Sequence, residues 1–176
     1  MLRLRDFQYT YDQEKLDEVA KKLSLLPKDN INKIILTIDA YSSATIEGAH
    51  TTLLNVQRAL EKGPYNKDEL MCVNTIKAYV KLRDVNTLCE ESLIDVWFTI
   101  VENCCDNTAA GSSGYRTGMV HVGSLDNIVH VPAKPEDIPD LMSDLSNFSS
   151  GHTVLDSILL HFYLVYIHLF VMEMVG

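Results

Sequence analysis

The amino-acid sequence predicts an all-α helical bundle that carries a single β-hairpin. Apolar residues recur at helical spacing in five segments of the first 104 residues, and short loops join these segments. Only one pair of short β-branched runs follows, within residues 118–131. At 176 residues the chain is long enough to bury the core of one domain.

The five N-terminal helices are predicted from apolar spacing and from residues that end helices. Pro27 closes the first helix, Gly48 ends the second and Gly63 follows the third. The predicted ranges are 11–26, 31–47, 51–61, 66–82 and 90–104.

The segment after these helices is predicted to form a loop and then the hairpin. Residues 107–114 are small and polar, whereas Gly118–Gly123 and Ile128–Val131 are β-branched runs around a turn at residues 124–127. Because an isolated hairpin is marginally stable, we expect this one to pack against the helices. Its edges would then be available for pairing with another chain.

Two further helices complete the prediction. Prolines at 132, 135 and 139 frame the start of one, whose first turn carries Glu136 and Asp137 and which continues to Phe148. The other, within Ser157–Met172, contains no Asp, Glu, Lys or Arg and is apolar on every face. Such a helix lies in a core or in a membrane, and its two His and two Tyr favour a central core helix.

Two histidines lie on one face of this apolar helix, two turns apart. Either His161 or His168, taken alone, is expected to be a hydrogen-bonded core residue. His168 differs because it lies where the apolar helix ends, so its ring can reach a surface pocket.

Composition excludes several classes of protein. The net charge of −9 argues against a nucleic-acid-binding surface. The first six residues contain no apolar run of the kind found in secretory signals, so we expect a cytoplasmic protein that is not bound to a membrane. The four cysteines contain no C-x-x-C pair and are predicted to be free thiols rather than disulfides or zinc ligands.

Three blocks of sequence occur in an informative order. The first is Ser43-Ala44-Thr45-Ile46-Glu47-Gly48. The second is Gly114-Tyr115-Arg116-Thr117, followed by Val120-His121-Val122 and Val129-His130-Val131-Pro132. The third is Tyr166-Ile167-His168-Leu169-Phe170. From about residue 35 to residue 170, the chain resembles the Fic-domain family (filamentation induced by cAMP). The blocks resemble, in turn, its inhibitory motif Ser/Thr-x-x-x-Glu-Gly/Asn, its flap hairpin and the helix that ends in His-Pro-Phe.

The resemblance implies a Fic-type helical bundle with a β-hairpin flap, acting as a protein adenylyltransferase. Such an enzyme transfers AMP from ATP to a Ser, Thr or Tyr hydroxyl of a target protein, with Mg²⁺ as cofactor. His168 matches the base that takes the hydroxyl proton, a role that suits a group of near-neutral pKa. Ser43, Glu47 and Gly48 match the inhibitory motif, whose Glu in the family pairs with a catalytic arginine and blocks the γ-phosphate position.

The family's flap binds target segments by strand addition. The residues expected to do so here are Val120, His121, Val122, Ile128, Val129, His130 and Val131. The implied division of the chain is an N-terminal helical extension (1–34), the inhibitory-motif helix with the following helix (35–62) and a C-terminally incomplete Fic core (63–176).

The chain departs from the family's catalytic motif, His-Pro-Phe-x-Asp/Glu-Gly-Asn-Gly-Arg with a second Arg a few residues later. Leu169 replaces Pro, and Met172 occupies the acidic position that binds Mg²⁺. Glu173 is one place late and would bind the metal only if the loop were remodelled. The glycines, Asn and arginines are absent, and Met174 and Val175 cannot approach phosphates as glycine does. We therefore expect little or no transfer by this chain.

Several alternatives stay open at this level. The chain is either a degenerate or truncated Fic protein, or a sequence that lacks the loop and final helices of a longer one. A catalytically inactive pseudoenzyme would use the flap as a protein-binding module. A membrane anchor at residues 157–176 is disfavoured by its histidines, and a nuclease using His121, His130 and His168 lacks ligand spacing and a basic groove. Assembly into a homo-oligomer, the target protein and the preferred nucleotide are not determined.

Overall fold

The computed structural model describes residues 2–25, 33–83, 89–104, 114–124 and 126–170. These residues form seven α-helices and one two-stranded antiparallel sheet, which confirms the predicted all-α fold with a hairpin. The elements are α1 (Gln13–Ser24), α2 (Lys33–Ile46), α3 (Leu53–Lys62), α4 (Lys67–Arg83), α5 (Glu90–Val101), β1 (Val122–Ser124), β2 (Asn127–His130), α6 (Ile138–Ser146) and α7 (Thr153–Ile167). Short 3-10 helices lie at Leu4–Asp6 and Pro135–Asp137.

The chain divides into two compact units. The first comprises Met1–Lys28 and Tyr115–Leu169 and therefore contains α1, the hairpin, α6 and α7. The second comprises Asp29–Gly114 and Phe170–Gly176 and contains α2 to α5.

Helix α4 is the centre of the second unit, where it packs against α2, α3 and α5. Its buried side chains Met71 and Cys72 join an apolar cluster with Val56 of α3 and Ala44 of α2. Asn74 of α4 is fully buried, and its side-chain amide donates to the carbonyl oxygens of Ile100 (3.3 Å) and Glu102 (2.8 Å). These bonds satisfy carbonyl groups that the end of α5 leaves without intrahelical partners.

Helix α7 packs against α1 and α6 in the first unit. Four residues spaced four apart are buried: Leu155, Leu159, Tyr163 and Ile167. Other apolar positions on α7 are exposed, including Ile158, Phe162 and Val165. The prediction of a helix buried on every face is thus wrong for the described residues, because α1 and α6 cover one stripe only. No helix of the described residues combines the length and apolar character that crossing a membrane requires.

The hairpin is present but shifted along the chain relative to the prediction. Ser124 and Asn127 were expected in the turn, yet they pair with each other, and the pairing of Val122 with His130 is separated from them by a bulge. Gly123 lies at φ +113°, and a Cβ there would collide with the main-chain oxygen of Asn127. Glycine therefore permits the bulge that sets this register.

Several predicted helix ends also differ, for local reasons. Helix α5 ends at Val101 instead of Cys104, and Asn103 adopts a left-handed conformation (φ 59°) that Asn tolerates. Glu136 and Asp137 lie in a 3-10 helix before α6 rather than in its first turn. The predicted stop at Pro27, most of the 107–114 loop and the thiol of Cys105 lie outside the described residues. Cys72 is a buried free thiol, and burial raises its pKa to about 11.

Candidate functional site

His168 lies immediately after the last residue of α7, as the sequence predicted. Its main-chain N–H donates to the carbonyl oxygen of Leu164 (3.0 Å), and its side chain is exposed. Its backbone is left-handed, with φ 54° and ψ 65°. For a residue other than glycine this conformation costs roughly 1–2 kcal/mol, so the surroundings must hold it in place.

Buried Arg116 supplies that support. Its Nε donates to the carbonyl oxygen of His168 (2.6 Å), and its Nη2 donates to that of Ile167 (3.3 Å). Its main-chain N–H donates to the carbonyl oxygen of Leu169 (3.0 Å). The same guanidinium also donates to the carbonyl oxygens of Gly118 (2.8 Å) and Ala133, which flank the hairpin. Arg116 therefore joins both ends of the hairpin to the end of α7.

Among the described residues, carbonyl dipoles rather than a carboxylate compensate the charge of Arg116. The side chain is 2% exposed, and its partners among the described residues are all carbonyl oxygens. Burial lowers the pKa of the guanidinium, which nevertheless stays charged because an arginine pKa is so high. A cation is favourable at the C-terminal end of a helix, where the carbonyl groups point outward. The Gly-Tyr-Arg-Thr block gives no sequence signal for this role, since its partners at the end of α7 lie about 50 residues away.

His130 makes a second link between the hairpin and α7. Its Nε2 lies 2.8 Å from the carbonyl oxygen of Tyr166, and because a carbonyl only accepts, that nitrogen donates. The imidazole also stacks on the Tyr166 ring, with 4.9 Å between centroids. His130 is therefore fixed to the helix and half-buried.

The other predicted flap residues differ in exposure. Val122, Ile128, Val129 and Val131 are exposed apolar side chains, and Val129 is 73% exposed. His121 is exposed as well, whereas Val120 is half-buried. Val120 and His121 precede β1, and Val131 follows β2. The hairpin thus presents an apolar surface to solvent in the first unit.

The residues that follow His168 lead into the second unit. Leu169 is 4% exposed and ends the first unit. Phe170 belongs to the second, where its ring stacks on that of Trp97 with 4.9 Å between centroids. Leucine in place of the Fic motif's proline leaves His168 free to adopt its left-handed conformation, because a residue before proline is pushed towards an extended backbone.

The block Ser43–Gly48 ends α2 in the second unit. The N–H of Ala49 donates to Ala44 O (2.9 Å) and that of Gly48 to Thr45 O (3.1 Å). These two bonds, with Gly48 at φ +95°, form a Schellman motif that closes the helix. Ala44 and Ala49 are both buried in the apolar cluster of this unit.

This geometry leaves the Glu47 side chain exposed at the C-terminal end of α2. No hydrogen bond or ion pair joins its carboxylate to another described residue. A negative charge is unfavourable at this end of a helix, so Glu47 does not stabilise α2.

A polar cluster that sequence reasoning missed lies beside this block. Tyr79 of α4 donates its hydroxyl to Asp39 Oδ2 (2.5 Å) and also hydrogen-bonds to Ser43. Burial raises the pKa of Tyr79, and the bond to Asp39 adds to the rise. Asp39 and Tyr79 line a groove of about 390 Å³ between α2 and α4. The bond between Tyr79 and Asp39 thereby joins α4 to α2.

The residues present do not fit a Mg²⁺ site of the kind the Fic motif supplies. The acidic position is Met172, whose thioether is a poor ligand for a hard cation. Glu173, the predicted substitute, lies outside the described residues. Among the described residues, no three His, Cys, Asp or Glu side chains group closely enough to hold a metal ion.

Comparisons with known proteins bear on the fold. No protein-family profile matches the chain, and no curated protein matches it in sequence. A solved structure of a Fic family protein from Desulfovibrio desulfuricans G20 matches with a TM-score of 0.67 and 21% sequence identity. The match covers 93% of this chain. The chain has a Fic-like fold.

The Fic-like fold confirms the architecture that the three sequence blocks implied. The match covers 55% of the Desulfovibrio desulfuricans structure, so this chain spans about half the length of that protein.

Proposed function

We propose that the chain carries the base, the flap and the inhibitory glutamate of a Fic-type protein adenylyltransferase. In this reaction a Ser, Thr or Tyr hydroxyl oxygen of a target protein attacks the α-phosphorus of ATP. A new P–O bond forms, the bond to the β-phosphate oxygen breaks, and pyrophosphate leaves. The imidazole of His168 takes the hydroxyl proton.

The observation that carries the proposal is the geometry at the end of α7. His168 lies exposed at the end of an apolar helix, and hydrogen bonds from Arg116 fix the backbone of His168. A general base needs both exposure to the substrate and a fixed position. The hairpin attached to the same helix end would hold the target segment by strand addition, with exposed Ile128 and Val129 contacting its side chains.

Glu47 is the proposed inhibitor of the nucleotide site. Its carboxylate is exposed and unpaired among the described residues, and it lies where a helix disfavours negative charge. We propose that, where a phosphate-binding loop supplies an arginine, Glu47 pairs with it and occupies the place of the γ-phosphate. The chain has Glu47 but lacks the loop's arginines.

The unmodified chain should therefore transfer little or no AMP. Residues 172–176 read Met-Glu-Met-Val-Gly, which offers neither the glycine N–H cradle for phosphates nor the acidic metal ligand of the motif. The exposed apolar hairpin supports a second candidate function, a catalytically inactive protein-binding module that uses the same flap.

Calorimetric titration with ATP and Mg²⁺ tests the proposal. In a variant that we call the loop graft, Val-Asp-Gly-Asn-Gly-Arg-Ala-Gly-Arg replaces residues 171–176. We expect no binding by the unmodified chain or by Glu47→Gly alone. The loop graft with Glu47→Gly should bind, and the loop graft that retains Glu47 should bind more weakly.

Two outcomes would contradict this proposal. Failure of a folded loop graft with Glu47→Gly to bind ATP would leave the protein-binding module as the function. Tight binding by Glu47→Gly without the graft would show that residues 171–176 form a phosphate site of their own. Circular dichroism verifies that each variant is folded.

A further inference from the structure

Two residues that flank or belong to the hairpin bond the carbonyl groups at the end of α7 and just beyond it. His130 donates to the carbonyl oxygen of Tyr166, and Arg116 donates to those of Ile167, His168 and Leu169. A helix leaves its final carbonyl groups without intrahelical partners, and water usually satisfies them when they are exposed. Here two basic side chains and one main-chain N–H supply the partners.

The same residues also hold the hairpin. Arg116 bonds the carbonyl oxygens of Gly118, before β1, and Ala133, after β2. His130 is itself the last residue of β2 and pairs with Val122 of β1. A displacement of either strand of the hairpin would therefore weaken the hydrogen bonds that Arg116 and His130 donate to the main chain around His168.

We propose that Arg116 and His130 are positioning residues that couple the hairpin to the conformation of His168. Their hydrogen bonds to this end of α7 all go to main-chain carbonyl oxygens. The left-handed backbone of His168 costs free energy by itself, and the donors of Arg116 and His130 bond main-chain carbonyl groups at and around it. The significance for catalysis rests on the proposed function, but the coupling itself does not.

The coupling has a direct consequence for target binding. A segment that adds to the hairpin edge and orders it would favour the conformation of His168 that the two donors stabilise. By thermodynamic linkage, fixing His168 would favour the ordered hairpin to the same extent. His168 would thus adopt its fixed conformation when a target segment binds to the hairpin.

Nuclear magnetic resonance tests the coupling without any need for activity. The Cα and Cβ shifts of His168 and its HN–Hα coupling report φ, and amide hydrogen exchange reports the hairpin. His130→Phe keeps a ring for stacking on Tyr166 but removes the donor, and Arg116→Lys shortens the side chain and removes the fork of donors. His121→Gln is the matched control, because His121 is an exposed histidine of the same segment.

We expect His130→Phe and Arg116→Lys to accelerate hydrogen exchange of the β1 and β2 amides by roughly fivefold or more. This is the change in the opening equilibrium that follows from the loss of one hydrogen bond. The His168 shifts and coupling should move in the same variants, while exchange in α4 stays unchanged. His121→Gln should alter neither probe.

Faster exchange of the hairpin with unchanged His168 signals would overturn the proposal, and so would unchanged exchange in both variants. If Arg116→Lys does not fold, His130→Phe decides by itself. Because these probes do not involve nucleotide, loss of the coupling and loss of ATP binding are separate results.

Discussion

His168 combines an exposed imidazole with a strained backbone. The left-handed conformation has no steric cost for glycine but a real one for any residue with a Cβ. The hydrogen bonds of Arg116 compensate for this cost by satisfying the carbonyl groups around His168. The position of the base is therefore a property of residues distant in sequence.

The strain at His168 predicts an unusual order of stabilities. His168→Gly and His168→Ala both remove the imidazole, so their difference reports the backbone alone. We expect His168→Gly to be more stable than His168→Ala by about 1 kcal/mol in urea denaturation. The control pair is Val165→Gly and Val165→Ala, at an exposed position within α7, where glycine should be the less stable by about 1 kcal/mol. Equal stability of the two His168 variants would show that its backbone is not left-handed in solution.

At the scale of single residues, the sequence predicted the place of the base but not what holds it. His168 was identified because the apolar periodicity of α7 stops there, which is a local signal. Arg116 lies in a short polar segment, and its partners at Ala133, Ile167 and His168 become neighbours only in the folded chain. Residue types and spacing contain no signal for such contacts.

The elements themselves were predictable wherever local chemistry decides them. Gly48 was predicted to end α2 because glycine takes the left-handed position of a helix C-cap, and the Schellman bonds of Gly48 and Ala49 confirm it. The hairpin register was not predictable, since it depends on a bulge at Gly123. The one-sided burial of α7 was missed as well, because apolar residues on every face do not show which faces other helices will cover.

Hydrogen bonds to Asp156 stabilise the N-terminal end of α7, and this stabilisation depends on pH. The carboxylate of Asp156 accepts the Ser150 N–H (2.6 Å) and the Ser149 hydroxyl (3.2 Å). Burial acts to raise the pKa of Asp156, but the hydrogen bonds from Ser150 and Ser149 outweigh it, and the pKa is lowered overall. The stabilisation is then complete above the ordinary Asp pKa of about 3.9 and is lost as the pH falls through the lowered value.

Asp156→Asn should therefore destabilise the protein at neutral pH by roughly 1–2 kcal/mol, as expected for hydrogen bonds to a charged group. The difference from the unmodified chain should shrink as the pH falls from about 3.9 through the lowered pKa of Asp156, where the native carboxylate becomes protonated. Urea denaturation at a series of pH values measures it. Asp126→Asn, at an exposed turn position, should have little effect at any pH. A difference that persists unchanged in acid would show that the carboxylate charge is not involved.

At the scale of the whole molecule, the residues proposed to act as base, flap and inhibitor lie in two compact units of a Fic-like fold. The first unit holds the hairpin and His168, and the second holds Glu47 at the end of α2. The fold was predictable because three short blocks occur in the right order along the chain. The activity was not, because the motif loses its glycines and arginines after Phe170.

The most direct test of the proposed function is transfer of radiolabel from ATP to protein by the loop graft with Glu47→Gly. Adenylyl transfer moves the α-phosphorus and leaves the γ-phosphorus behind, so parallel reactions use ATP labelled at one position or the other. We expect protein labelling from α-labelled ATP only, reduced to background when His168→Ala is added. Labelling that survives His168→Ala, or strong labelling by Glu47→Gly without the graft, would contradict it.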